Sequence, residues 1–173
     1  MKQLFYLLLI FLFGLTACDG PVFEPRLPDL TMEGKNTFGC RVNGEVWLPF
    51  RKESNSPSRY ASFSPQGLSI LAGQWDGEND EWISLIAHFE QAKDTTYTLG
   101  SNVLGVGWGS YQDGSTVFFT DEELNGKLRI VAFHLEEDGN RRFIAGTFEF
   151  TARDANGQLV EVTDGRFDLR LDP

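Results

Sequence analysis

The chain has 173 residues, of which 25 are Asp or Glu and 15 are Lys or Arg, giving a formal net charge of −10 at pH 7. That length suits a single domain with a full hydrophobic core. The basic residues are scattered and never form a run, which disfavours nucleic acid as a partner, and the negative charge argues against a second, electrostatic attachment to anionic lipid.

The chain opens MKQLFYLLLIFLFGLTACDG, with Lys2 as a positive flank and an apolar run from Leu4 to Phe13. Such a run is too short to cross a hydrocarbon core of ~30 Å. Small residues and then Cys18 follow, and the tetrapeptide LTAC resembles a bacterial lipoprotein signal with its lipobox. The resemblance implies a signal peptide over residues 1–17 and a diacylglyceryl group on the Cys18 thiol. Cleavage then makes Cys18 the new N-terminus, where a further acyl chain is normally added. Two or more chains anchor a protein stably where one does not. The partner implied is a membrane, held through lipid. The sequence after Cys18, DGPVFEP, lacks a dense acidic run, which favours the periplasmic face of the outer membrane over surface export.

Residues 18–36 carry Pro21, Pro25 and Pro28 and no apolar period. Prolines at that density favour extended chain of ~3 Å per residue, a tether reaching some ~50 Å. The folded domain is expected over residues 37–173, as a succession of strands and turns. TFGCRV, Asn43-Gly44 and EVWLPF read as a hairpin, because Asn-Gly suits the positive φ values of a type I′ turn. Cys40 lies in the first of these runs and reads as a small buried apolar residue. With Cys18 taken by lipid, it has no partner for an intrachain disulfide.

RYASFS, LSILAGQW, EWISLIAHF, TYTLG and STVFFT follow as short strands, with KLRIVAFHLEE apolar on both faces and so expected in the middle of the fold. The acidic turn with Asp76, Glu78, Asp80 and Glu81 reads as a solvated hairpin end rather than a calcium site. His88 and His134 offer no zinc spacing. No nucleophile elbow is present, and GVGWG lacks the strand and helix that a dinucleotide loop requires. The polar loop EQAKDTT contains Asp94-Thr95-Thr96, which resembles a short O-glycosylation acceptor motif of envelope proteins and nominates Thr95. Trp108 and Tyr111 lie in the glycine-rich stretch LGVGWGSYQDG, where flat aromatic faces on a loop could hold a sugar or a partner surface.

The C-terminal stretch FIAGTFEFTARDANGQLVEVTDGRFDLRL alternates most clearly. Ile144, Gly146, Phe148, Phe150 and Ala152 fall on one face, and Phe143, Thr147, Glu149 and Thr151 on the other. Asp154, Asn156 and Gly157 do not follow the ligand spacing of a calcium loop and read as a turn. Thr163-Asp164-Gly165 reads as a bend between LVEV and RFDLRL. Many short strands at hairpin spacing predict an all-β antiparallel β-sandwich, with a closed lipocalin-like β-barrel as the second reading.

GTFEFTARDANGQLVEVTDGRFDLRL, preceded by LNGKLRIVAFH and with NTFGCRVNGEVWLP near the domain start, resembles a family of uncharacterised Bacteroidetes lipoproteins. Its members carry a lipobox, an N-terminal hairpin with NTFG, VNG and Trp, and a C-terminal block of this form. Ala145 stands where that family usually has Ser. The resemblance implies location and fold class and transfers no mechanism, cofactor or catalytic residue. The function expected is therefore a lipid-anchored, non-catalytic binding or structural domain, with a glycan or an envelope protein as its partner. An envelope enzyme such as a glycan hydrolase, and a barrel carrier for an apolar ligand, are the alternatives.

Overall fold

The structure is a computed structural model that describes residues 25–51, 58–75, 78–88, 95–101, 107–135 and 142–171. The segment expected to be a signal peptide, Cys18, Asp76 and Asp94 lie outside the described residues. The strands are β1 (Thr37–Val42), β2 (Glu45–Trp47), β3 (Phe50–Arg51), β4 (Arg59–Ser64), β5 (Gly67–Trp75) and β6 (Asp80–Ala87). They continue with β7 (Thr95–Leu99), β8 (Trp108–Asp113), β9 (Thr116–Phe119), β10 (Gly126–Leu135), β11 (Arg142–Arg153) and β12 (Leu159–Arg170).

All twelve belong to one curled sheet whose main path runs β2-β1-β12-β11-β9-β8-β6-β5-β3, with β10 and β7 branching from β11 and β4 from β5. Its end strands β2 and β3 do not pair with each other, so the sheet stays open and the closed lipocalin-like barrel is not what forms. The sheet folds over as a sandwich. One layer is β2-β1-β12-β11-β10-β7; the other is β9-β8-β6-β5-β4, with β3 as a short parallel neighbour of β5. The layers meet at a corner where Arg153 of β11 pairs with Phe119 of β9.

Alternation explains which side of each strand turns inward. Ile144, Phe148, Phe150 and Ala152 of β11 are buried, while Glu149 between them is exposed. Leu68, Ile70 and Ala72 of β5 and Ile83, Leu85 and Ala87 of β6 come from the opposite layer to fill the same core. Phe150 of β11 lies close over Gly109 of β8, and the rings of Phe63 and Phe133 meet edge-on at 4.9 Å between β4 and β10. Fully removing Leu or Phe side chains from water stabilises by about 1.5–3 kcal/mol each, so this filled interior dominates the fold's stability.

Turn chemistry follows the sequence, with one difference. Asn43 and Gly44 have φ of 50° and 86° in the β1–β2 hairpin. Asp154 caps the β11–β12 turn, its Oδ1 accepting from the backbone N–H of Asn156 and Gln158 at 2.9 and 2.8 Å. Thr163-Asp164-Gly165, however, does not separate two strands. β12 runs through it as a bulge, where Phe148 pairs with Gly165 and Phe150 with Val162, and Asp164 takes the left-handed φ of 53°.

Packing against the sheet also begins before Thr37. Residues 27–36 form a strap over the outer side of the first layer, with Leu27 and Pro28 close above Gly39. Its fastening is Asp168, fully buried on the outward side of β12. Oδ2 accepts from the Thr31 hydroxyl at 2.6 Å and from the N–H groups of Glu33 and Lys35 at 3.0 and 3.2 Å. Oδ1 accepts from the N–H of Gly34 at 2.7 Å.

Candidate functional site

The outward side of the second layer has an unusual composition. Along β4 the outward residues are Tyr60 and Ser62, and their β5 partners are Leu71 and Ser69. On β6, Ser84 lies opposite Leu71, Ile86 opposite Ser69 and Trp82 opposite Gly73. On β8 the outward positions are Trp108, Ser110 and Gln112, and Phe119 of β9 pairs with Ser110. From Tyr60 to Phe119 these positions carry no charged side chain; Asp80 stands at one margin and Arg153, the register partner of Phe119, at the other. In a chain with 23% charged residues, a sheet face of this extent without charge calls for an explanation.

The rings are partly open to solvent. Tyr60 is 41% exposed, Phe119 40% and Leu71 36%, while Trp82 and Trp108 are half-buried. Trp82 lies flat because its cross-strand partner is Gly73, whose missing side chain leaves room for the indole. A Cβ at Gly73 would sit 2.4 Å from that ring. Trp108 leans on Phe119, with ring centroids 5.7 Å apart. Flat aromatic faces offer stacking area to apolar faces of a ligand, and the serines and Gln112 between them offer hydrogen bonds without net charge. Such a face suits a neutral, hydroxyl-rich ligand and penalises a charged one through desolvation.

The two aromatic residues nominated from the sequence separate here. Both are strand residues of β8 rather than loop residues, and they point to opposite sides. Trp108 is part of the uncharged face. Tyr111 is buried, pointing inward, and its hydroxyl donates to Glu81 Oε2 at 2.8 Å. The indole N–H of Trp47, from β2 in the other layer, donates to the same oxygen at 2.7 Å. Glu81 thus joins the two layers at one end of the sandwich, beside an opening of 470 Å³ also lined by Asn43, Glu45 and Gln74. Burial pushes the Tyr111 phenol well above its ordinary range, and the hydrogen bond and charge of Glu81 push it further. Tyr111 therefore stays a donor, as this clasp requires.

The remaining candidates are engaged elsewhere. Burial pushes the Cys40 thiol up, so it stays protonated within the core. His88 Nδ1 lies 2.9 Å from the Gln66 carbonyl, whereas His134 stacks on Phe143 at 5.4 Å. Among the described residues, no three His, Cys, Asp or Glu side chains come together in a way that could hold a metal ion. Thr95 is exposed at the start of β7.

A domain family described only as Domain of unknown function (DUF6252) matches residues 55–168. The chain belongs to DUF6252. The DUF6252 match takes in the whole uncharged face and the C-terminal block up to Asp168, and it begins after the β1–β2 hairpin. No curated protein and no solved structure matches the chain.

Proposed function

We propose that this DUF6252 protein is a lipid-anchored, non-catalytic domain of the cell envelope that binds neutral glycan on the outward face of β4, β5, β6, β8 and β9. The observation that carries the reading is the uncharged array of Tyr60, Trp82, Trp108 and Phe119 with serines between them. LTAC and the resemblance of both ends of the domain to envelope lipoproteins support anchoring through Cys18, on the periplasmic face of the outer membrane. The best-placed carboxylates support a non-catalytic role. Asp154 and Asp168 hold backbone N–H groups, and Glu81 holds Trp47 and Tyr111.

The test is retention on immobilised neutral polysaccharides. Tyr60→Ala and Trp108→Ala are each expected to weaken capture about fivefold, the equivalent of ~1 kcal/mol for a lost aromatic contact. Tyr60→Ala should change stability by about 1 kcal/mol, because the residue is 41% exposed and leaves little cavity behind, whereas the more buried Trp108→Ala should cost about 2 kcal/mol. Failure of the wild type to bind any neutral polysaccharide sinks the reading. Concentration-dependent dimerisation abolished by Tyr60→Ala would instead make this face an interface between copies.

Thr95 is proposed as the acceptor of an O-linked glycan, given its exposure and the Asp94-Thr95-Thr96 sequence. The native protein is expected to be heavier than its Thr95→Ala variant by one glycan after allowing for the substitution. Identical intact masses after that allowance refute it.

A further inference from the structure

The outward side of the first layer differs from that of the second in every respect that matters for a partner. Thr96, Arg129, Thr147 and Arg166 line up across β7, β10, β11 and β12 in successive register pairs. With Lys127 and the strap's Leu30 they line a groove of 450 Å³, which also contains Glu149 and Asp164. Each carboxylate has a cation beside it. Lys127 Nζ lies 3.7 Å from Glu149, and Arg41 Nε lies 3.2 Å from Asp164.

The strap decides where this groove sits. It crosses the same face, and Asp168 holds its residues 31–35 down. Residues 19–24 are all that separates Cys18 from Pro25. A chain of that length spans at most ~25 Å even when fully extended. An anchored Cys18 therefore keeps the cationic groove within reach of the bilayer surface, and the loose ~50 Å tether expected from prolines alone is shortened by half.

We infer that this groove is a membrane-facing surface that takes phosphate groups of lipid headgroups, an inference that rests on the anchoring of Cys18 proposed above. Guanidinium groups bind phosphate oxygens bidentately, and the threonine hydroxyls beside Arg129 and Arg166 add donors in the same row. The net charge of −10, which over the whole sequence argues against electrostatic attachment to anionic lipid, does not decide the matter at this one face. Charges further away than the ~8–10 Å screening length contribute little, so the bilayer responds to the near face. A domain seated in this way turns its uncharged aromatic face away from the membrane, toward whatever glycan lies beyond it.

The experiment uses the full lipidated chain reconstituted into vesicles of phosphatidylcholine alone or with phosphatidylglycerol added. A fluorophore is placed at Thr98→Cys on the first layer or at Leu71→Cys on the second, and a quencher is carried on the lipid headgroups. Quenching at position 98 is expected to exceed that at position 71 severalfold, more so with phosphatidylglycerol. The combination Lys127→Gln, Arg129→Gln and Arg166→Gln should remove the difference, with Lys127→Gln alone, a fully surface change, giving a partial loss. Equal quenching at the two positions, or variants that behave like wild type, would overturn the face assignment while leaving the anchor intact. If the wild type does not float with vesicles, or floats no better than Cys18→Ser, the anchor reading fails and takes this inference with it.

Discussion

Asp168→Ala is expected to cost about 3–5 kcal/mol in urea unfolding, the largest loss of any single polar substitution in this chain. The residue is fully buried and each of its oxygens is in use, by Thr31, Glu33 and Lys35 on one side and Gly34 on the other. Hydrogen bonds to a charged acceptor are worth about 1.5–3 kcal/mol each, and their loss also leaves covered donors without partners. Asp168→Asn should lose less, about 2 kcal/mol, since one amide oxygen still accepts while the NH₂ faces other donors. The strap should loosen first, seen as faster amide exchange at Gly34 and Lys35 than in the core strands.

The same site sets an acid limb. Burial alone raises the Asp168 pKa, but the hydrogen bonds from Thr31, Glu33, Lys35 and Gly34 outweigh it and bring it below the ordinary carboxylate value. A depressed folded pKa means that the unfolded chain takes up the proton first as pH falls. The contribution is therefore complete above the unfolded value of ~3.9 and is lost as pH drops through that value toward the folded one. The urea midpoint of the wild type should lose this component below about pH 4, and Asp168→Asn should lack it. Identical acid limbs in the two proteins would rule out Asp168 as its source.

How much of this could be read from residues alone depends on the range of the interaction. Asn43-Gly44, Asp154 through Gly157 and the alternation of β11 are local, and the structure uses them as the sequence implied. β8 escaped because Gly109 and Ser110 dilute its period, and its pairing comes from β6 and β9 rather than from its own propensity. β12 looked like two strands because Asp164-Gly165 carries turn chemistry, yet the same left-handed φ serves a bulge when partners on both sides hold the strand. The uncharged face was the least legible. Tyr60, Trp82 and Trp108 lie far apart in the chain, and only the register of β4, β5, β6 and β8 brings them to one side. Nothing local marks Asp168 out from Arg166 and Arg170, with which it shares the outward side of β12, since its partners lie more than 130 residues away.

Gly146→Ala is the substitution expected to damage the core most for the smallest chemical change. Gly146 lies mid-way along β11 on the inward side, opposite Phe167 of β12 and Ile130 of β10. No unusual φ requires glycine here; the requirement is space. A Cβ would stand 2.1 Å from the Arg129 carbonyl oxygen and 2.8 Å from the tip of the Phe167 ring. The ring is 1% exposed and fixed among Phe148 and its neighbours, and the carbonyl belongs to a strand paired on both sides. Overpacking a core typically costs about 1–3 kcal/mol when side chains can shift, and here a backbone atom must move as well. A loss of about 4 kcal/mol is therefore expected, with Gly146→Val failing to fold. The neighbouring outward change Thr147→Ala should stay within ~1 kcal/mol, which separates crowding from any general intolerance of this strand. Adding Phe167→Leu to Gly146→Ala should recover part of the loss, because it removes the ring contact but leaves the carbonyl contact. If Gly146→Ala unfolds within ~1 kcal/mol of wild type, β10 and β11 must be able to separate at this point, and the tight packing of Phe167 against Gly146 would not be what holds the first layer together.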